Sequence, residues 1–346
     1  MITAEPLTRS ERTSRLSFNR PHFEENVKRL TLSCLEEFKQ ITRASALFHL
    51  IFVGIAAVEG LSFLLFFSFF MKSALLAFTI AGICLTVFTY FVLHYYFEAK
   101  KPDQFERVSQ RFMSECQEML PFPEGSSERH LSLSQALIYF SHQLPKQEYT
   151  PLPHFSDALS PLIRKFNTWA HWKDILTLRE KLLLRAIKEN ISYIKHHPTD
   201  LEGHAALAQA FVALSKLYVM EESDETPWVP KDYHTPEMQA KFQEASRQAI
   251  EEFTILDTFA PNDRWVHSQL AAVYHDLKMP EQEIHAYERL LTIAPQDRDI
   301  LFHLGKLYFQ EGLNAKALAI YQKLLALQDM RADELIQFYG SAVLSN

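Results

Sequence analysis

The chain has 346 residues, a net charge of −7 and 47% hydrophobic residues, room for roughly two domains. Only 8 glycines are present and alternating apolar/polar runs are few, which argues against an all-β fold. Residues 119–346 carry 22 Lys/Arg against 30 Asp/Glu with no basic stripe, so nucleic acid is not an expected partner.

Residues 1–19 are rich in Ser, Thr and Arg and poor in apolar side chains, the composition of a disordered segment. From Pro21 onward Phe23, Val27, Leu30, Cys34, Leu35, Phe38 and Ile41 recur at helical steps, predicting an amphipathic helix over 20–44. Its mixed-sign polar face suits packing on a downstream domain at least as well as lying on a membrane.

Residues 45–97 hold only two charges, Glu59 and Lys72, counting His as neutral. The runs 45–70 and 74–97 each exceed the ~20 helical residues that cross a bilayer core. Joined by Met71-Lys72-Ser73, they predict two antiparallel transmembrane helices, which the length rule favours over a buried hydrophobic hairpin in a soluble core. A cleaved signal peptide is excluded by position, since 44 residues precede a double run. Lys/Arg residues cluster before the first span and after the second, which predicts both termini in the cytoplasm. Tyr90, Tyr95 and Tyr96 are the expected aromatic anchor on that side. Small residues at Ala56/Gly60 and Ala77/Ala81 are expected to let the two helices approach closely.

Glu59 lies near the middle of the first span, where an ionisable group costs about 2.5–3.5 kcal/mol. It reads either as a relay or a contact between copies of the hairpin, or as a protonated side chain bonded to the neighbouring helix. Mirroring the two runs about their turn sets it at the depth of Thr86. The three cysteines, Cys34, Cys84 and Cys116, are isolated; neither a disulfide framework nor a zinc site is expected, and a reducing compartment fits. Residues 98–154 read as a helical linker region, with breaker clusters at 121–127 and 144–153 around a short helix.

In the C-terminal half, Leu270/Leu304, Ala271/Gly305, Tyr274/Tyr308, Tyr287/Tyr321, Leu290/Leu324 and Leu291/Leu325 all stand 34 residues apart. With Gly312, Ala317 and Tyr321 following Leu301–Tyr308, this pattern resembles the tetratricopeptide repeat (TPR) family. The unit from Pro261 departs from the family at Lys278, where glycine is usual, and at Glu283, where alanine is usual. A weaker unit keeps Leu207, Ala208, Phe211, Ala249 and Phe253. The fold class is therefore all-α: a transmembrane hairpin followed, over 155–346, by an α-solenoid of TPR-like helix pairs. An inserted acidic loop at 221–237 carries Trp228 and Tyr233; it reads equally as a partner-touching arm or as a solvated excursion. A capping helix is expected at 333–344.

The resemblance implies a protein- or peptide-binding groove lined by the first helix of each pair. The family's groove positions fall on Trp265, Ser268, Ala272, His275 and Asp276, then on Asp299, Phe302, Lys306, Phe309 and Gln310. Phe302 and Phe309 are the expected anchors for an apolar partner segment, unless the loop or the cap covers them. The family's carboxylate-clamping set is absent, Lys306 being the lone cation of these positions. No catalytic, nucleotide-binding or metal-ligand motif occurs, so neither an enzyme nor a cofactor is expected. The expected function is a membrane-anchored scaffold whose partners are a protein or peptide and the lipid bilayer, with self-association through the hairpin as a further possibility. The alternatives are a secreted bacterial effector in a host-derived vacuole membrane, or a channel or enzyme subunit that uses Glu59.

Overall fold

In the computed structural model the described residues are 19–67, 75–144, 160–219 and 235–339; the side chains of 75 and 160–170 are not among them. The expected disordered start, the turn at 71–73, most of the loop at 221–237 and the chain beyond 339 lie outside them. Every regular element among the described residues is helical. The chain divides into two units, one made mainly of residues 1–193 and one of 194–218 with 236–346.

The first unit is built on two long helices, α1 (Arg20–Leu65) and α2 (Leu75–Glu118). Asn19 caps α1 by accepting from the His22 backbone N–H, and a proline follows in the first turn. Each helix joins two segments that the sequence reading separates. At residue 45 the surroundings change, not the backbone, because no proline or glycine interrupts α1 from His22 to Val53. In α2, Pro102 removes one intrahelical donor, yet the helix continues past it.

The two helices run antiparallel, with Phe38 against Phe105 (ring centroids 5.5 Å), Phe48 against Phe97 (5.0 Å) and Glu59 against Thr86. Their outer halves are a buried core. Phe23, Val27, Leu30, Cys34, Phe38, Phe105, Val108 and Phe112 are buried, with Leu133, Leu137 and Phe140 of α3 (Ser127–Gln143). Phe112 and Phe140 rings lie 4.7 Å apart. Helix α4 (Ser160–His196) adds buried Leu178, Leu182 and Leu183 and is tied to α2 by ion pairs of Lys181 (2.9 Å) and Arg185 with Glu106. Burial pushes the Cys34 and Cys116 thiols up to about 12, which makes both poor nucleophiles.

The apolar halves show the opposite pattern. Val58, Leu64, Leu65, Phe78, Leu85 and Phe88 are each 65% exposed or more. Both helices are long and apolar enough to cross a membrane, and hardly any of their most apolar residues are buried. A helix from a soluble core would bury that stretch. The expected small-residue contact is not found: Ala56, Ala77 and Ala81 are exposed, and a Cβ added at Gly60 meets nothing within 4 Å. The approach is set instead by bulkier groups, the Phe48, Tyr90 and His94 rings and the Glu59–Thr86 pair. Tyr95 and Tyr96 are exposed near the end of the apolar stretch, but Tyr90 packs inward on His49, with its hydroxyl 3.2 Å from Nδ1.

The second unit is a run of helix pairs: α5 (Leu201–Tyr218) with α6 (Pro236–Phe259), α7 (Arg264–Asp276) with α8 (Pro280–Ile293), and α9 (Arg298–Gln310) with α10 (Asn314–Ala326). One core holds Ala208, Ala249, Phe253, Leu256, Leu270 and Ala271; the next holds Leu301, Leu304, Tyr308, Ala317, Ile320 and Leu324. Residues that repeat in sequence are therefore the residues that fill the space within and between pairs. Asp263 caps α7 through the N–H groups of Trp265 (2.8 Å) and Val266, and Asp297 caps α9 through Asp299 and Ile300 in the same way. The turn inside each of the last two pairs holds a left-handed residue. Gly312 supplies it at φ 73°, whereas Lys278 adopts φ 55° against the preference of an L side chain.

Within the described residues the expected cap at 333–344 is shorter and earlier. It is helix α11 (Arg331–Leu335) followed by a 3₁₀ turn over Ile336–Phe338. Ala332 and Leu335 are buried in the last core, and a Cβ added to Gly305 would fall 2.7 Å from a Leu335 methyl.

Candidate interaction face and hairpin polar pair

The first-helix positions of the two C-terminal pairs do not form one uniform groove. On α7, Trp265 is half-buried, its ring edge-on to Phe253 at 5.6 Å. Ser268 turns its hydroxyl back to the Trp265 carbonyl at 2.8 Å. Ala272, His275 and Asp276 are exposed.

On α9 the corresponding residues are largely occupied by the chain itself. Arg331 pairs with Asp299 at 2.6 Å and lays its guanidinium over the Phe302 ring at 5.5 Å. Lys306 sits over the Phe338 ring at 5.1 Å. Phe309 is fully buried, with Tyr339 against it at 5.8 Å between ring centroids. Phe309 is thus a core residue and not a partner anchor. The cap takes the place that the first helix of a further repeat would fill. Gln310 remains exposed.

The open face is acidic. Glu283 stands at the position of Ala317 in the next pair and is 6% exposed, with its carboxylate 3.1 Å from His275 Nδ1. Burial raises the Glu283 pKa, while His275 lowers it and the charges of Asp276 and Glu311 raise it further. Glu288 is held below its ordinary value by the Tyr308 hydroxyl, which donates to it at 2.6 Å, and by Lys316.

Two histidines mark a local pattern that the sequence reading missed. His204 and His267 each place Nε2 on the carbonyl of a proline six residues earlier, Pro198 (3.0 Å) and Pro261 (2.9 Å). Each is also paired with an acid of α6, Glu252 at 2.6 Å and Asp257 at 3.3 Å. The recurring Pro-x₅-His spacing was the available signal; in the last repeat Leu301 replaces the histidine. Among the described residues no group of His, Cys, Asp and Glu could hold a metal ion.

In the apolar hairpin, the Thr86 hydroxyl donates to Glu59 Oε1 at 2.7 Å. The two sequence-singled polar residues thus meet at one depth, as mirroring about the turn predicts.

Stacked antiparallel helix pairs with a 34-residue sequence period define the second unit as an α-solenoid. Residues 266–297 and 299–329 each match the family model of the tetratricopeptide repeat. The chain therefore carries tetratricopeptide repeats, two of them matched outright. Among solved structures it resembles a thermophilic TPR protein of Thermus thermophilus (20% identity, TM-score 0.29, 63% of this chain and 100% of that one). It also resembles human IFIT1, in a dimer with m7Gppp-AAAA (14% identity, TM-score 0.33, 96% of this chain and 88% of that one). A monomeric IFIT1 mutant with Gppp-AAAA gives 15% identity and a TM-score of 0.33, over 68% of this chain and 58% of that one. Among curated proteins none matches this chain.

Proposed function

We propose that the chain is a membrane-anchored adaptor: the apolar halves of α1 and α2 span the bilayer as a hairpin, and the TPR unit binds a protein segment beside the membrane. It acts by binding and not by catalysis. Both ends of the hairpin stay on one face of the membrane, where the Lys/Arg flanks favour the cytoplasm. The anchoring rests on the apolar halves being exposed where the outer halves of the same helices are buried.

The binding face is the open part of α7, namely Ala272, His275 and Asp276 backed by Glu283, with Gln310 at its margin. With Phe302 half-covered and Phe309 buried, the partner is not an apolar plug. The exposed acids Asp276 and Glu311 favour a segment bearing lysine or arginine. Tethering both molecules to one surface raises their effective concentration and lets a modest face suffice.

The test uses the tagged full-length chain, purified in detergent from its native cells beside an Ala272→Arg/Asp276→Arg variant. Proteins captured by the wild type should be lost or reduced at least tenfold with the variant, at an unchanged melting temperature. Retention of every captured protein would remove α7 as the binding face.

A further inference from the structure

The end of the hairpin where α1 and α2 pass into the buried core of the first unit is built to a distinct plan. The charge-free stretches close at Ser45 and Phe97. Because Phe48 meets Phe97 and Phe38 meets Phe105, Arg43 and Lys100 stand at one level. That level is about 3–5 Å outside the last apolar residues at the helical rise per residue.

Helix α4 joins them there through a buried ion pair. Asp174 Oδ2 lies 3.1 Å from Lys101 Nζ, their side chains 5% and 7% exposed, and Glu98 accepts from the same ammonium at 2.6 Å. Farther along, Lys181 and Arg185 hold Glu106, so α4 and α2 run in the same direction away from this level. The part of α4 that precedes Asp174, helical from Ser160, therefore heads back toward the apolar stretch. Trp172 and Lys173 directly precede Asp174 on this part of α4.

The charges at this level do not cancel. Glu98 and Asp174 both turn to Lys101, so at this level four cations, Arg43, Lys100, Lys101 and Lys173, stand against these two acids. Arg43, Lys100 and Lys173 are exposed, and among the described residues none has an ion-pair partner. Lys100 lies over the Tyr96 ring (5.7 Å) and Lys173 over the Trp172 ring (5.4 Å), so two of the three cations are paired with aromatic faces. Among the described residues the next acid along α2, Asp103, is a turn farther from the apolar stretch. Cations backed by Tyr and Trp just outside a bilayer-length apolar segment are the chemistry that meets lipid phosphates.

We propose that this collar, made of Arg43, Lys100 and Lys173 with Tyr96 and Trp172, binds anionic phospholipid headgroups. The Lys101–Asp174 pair is the lock that sets α4 at that depth. The inference rests on the anchoring reading and adds to it a lipid preference, which the hairpin alone does not require.

The test reconstitutes the full chain into nanodiscs with equal phosphatidylserine and phosphatidylcholine, then extracts it into mild detergent and measures the lipid retained. Phosphatidylserine should be enriched at least fivefold. Each cation neutralised in Arg43→Gln, Lys100→Gln and Lys173→Gln should lower the enrichment by up to about fivefold. The triple variant should retain the two lipids as supplied, at an unchanged melting temperature. Lipids retained in the supplied proportion by the wild type, or enrichment kept by the triple variant, would overturn the collar and leave the anchor standing. Displacement of the lipid by millimolar inorganic phosphate would overturn it as a lipid site. A chain that never enters the disc would overturn collar and anchor together.

Discussion

His204 shows how much one side chain can tie together. Protonated, it donates from Nδ1 to Glu252 and from Nε2 to the Pro198 carbonyl, joining the start of α5 to α6. Burial on its own would lower the His204 pKa, but the Glu252 hydrogen bond, the Pro198 carbonyl and the charges of Glu252 and Asp200 raise it above its ordinary value. A raised folded-state pKa stabilises fully below the unfolded value of about 6.5, and that stability is lost as pH rises through the higher folded value. Glu252→Gln should therefore destabilise the chain by about 2 kcal/mol near pH 6, the scale of a charge-assisted hydrogen bond. The difference from wild type in thermal melting should narrow steadily toward pH 9; a pH-independent gap would refute the linkage. The role of His204 was not legible, because a lone histidine near a helix start is ordinary until the same spacing is seen at His267. Phe309 failed for another reason: its place in the repeat marks it as groove-facing only when no chain follows, and here Tyr339 covers it.

The helices themselves were largely legible, and their junctions were not. The 34-residue period places α7 to α10 because each repeated aromatic or small residue has one packing role. Gly305 is the clearest case, with Leu335 Cδ2 and Ile320 Cγ2 at 2.7 and 3.0 Å from where its Cβ would lie. Gly305→Val should force the cap or α10 away from α9 and cost about 1–3 kcal/mol. Limited proteolysis should then cut near residues 328–331 well before the wild type is cut; equal resistance would mean that the cap is not seated on α9. The boundary expected at residue 44/45 vanished because the composition changes there while helix propensity does not. Pro102, which normally ends a helix, lies inside α2 within a segment fixed on both sides, by the buried Lys101 pair and by buried Phe105. The cap was misplaced by two residues at its start because Arg331, whose pairing with Asp299 and Asp329 anchors it, carries no repeat signal.

For the whole molecule, one physical contrast links the fold to the proposed function. The same two helices bury their apolar side chains at one end and expose them at the other, and the exposed Leu, Val and Phe over bilayer length are the surface that lipid covers in the proposed anchor. In the proposed function the TPR unit serves as a binding surface tethered to that lipid by the chain. Which partner it holds was not legible, since repeat positions specify where a groove lies and not what fills it. The most direct measurement is alkaline carbonate extraction of membranes from cells expressing the full-length chain, followed by flotation of the pellet. The chain should stay with the membrane at pH 11 and float with lipid. Release into the supernatant as a monomer in detergent-free buffer would contradict the anchor.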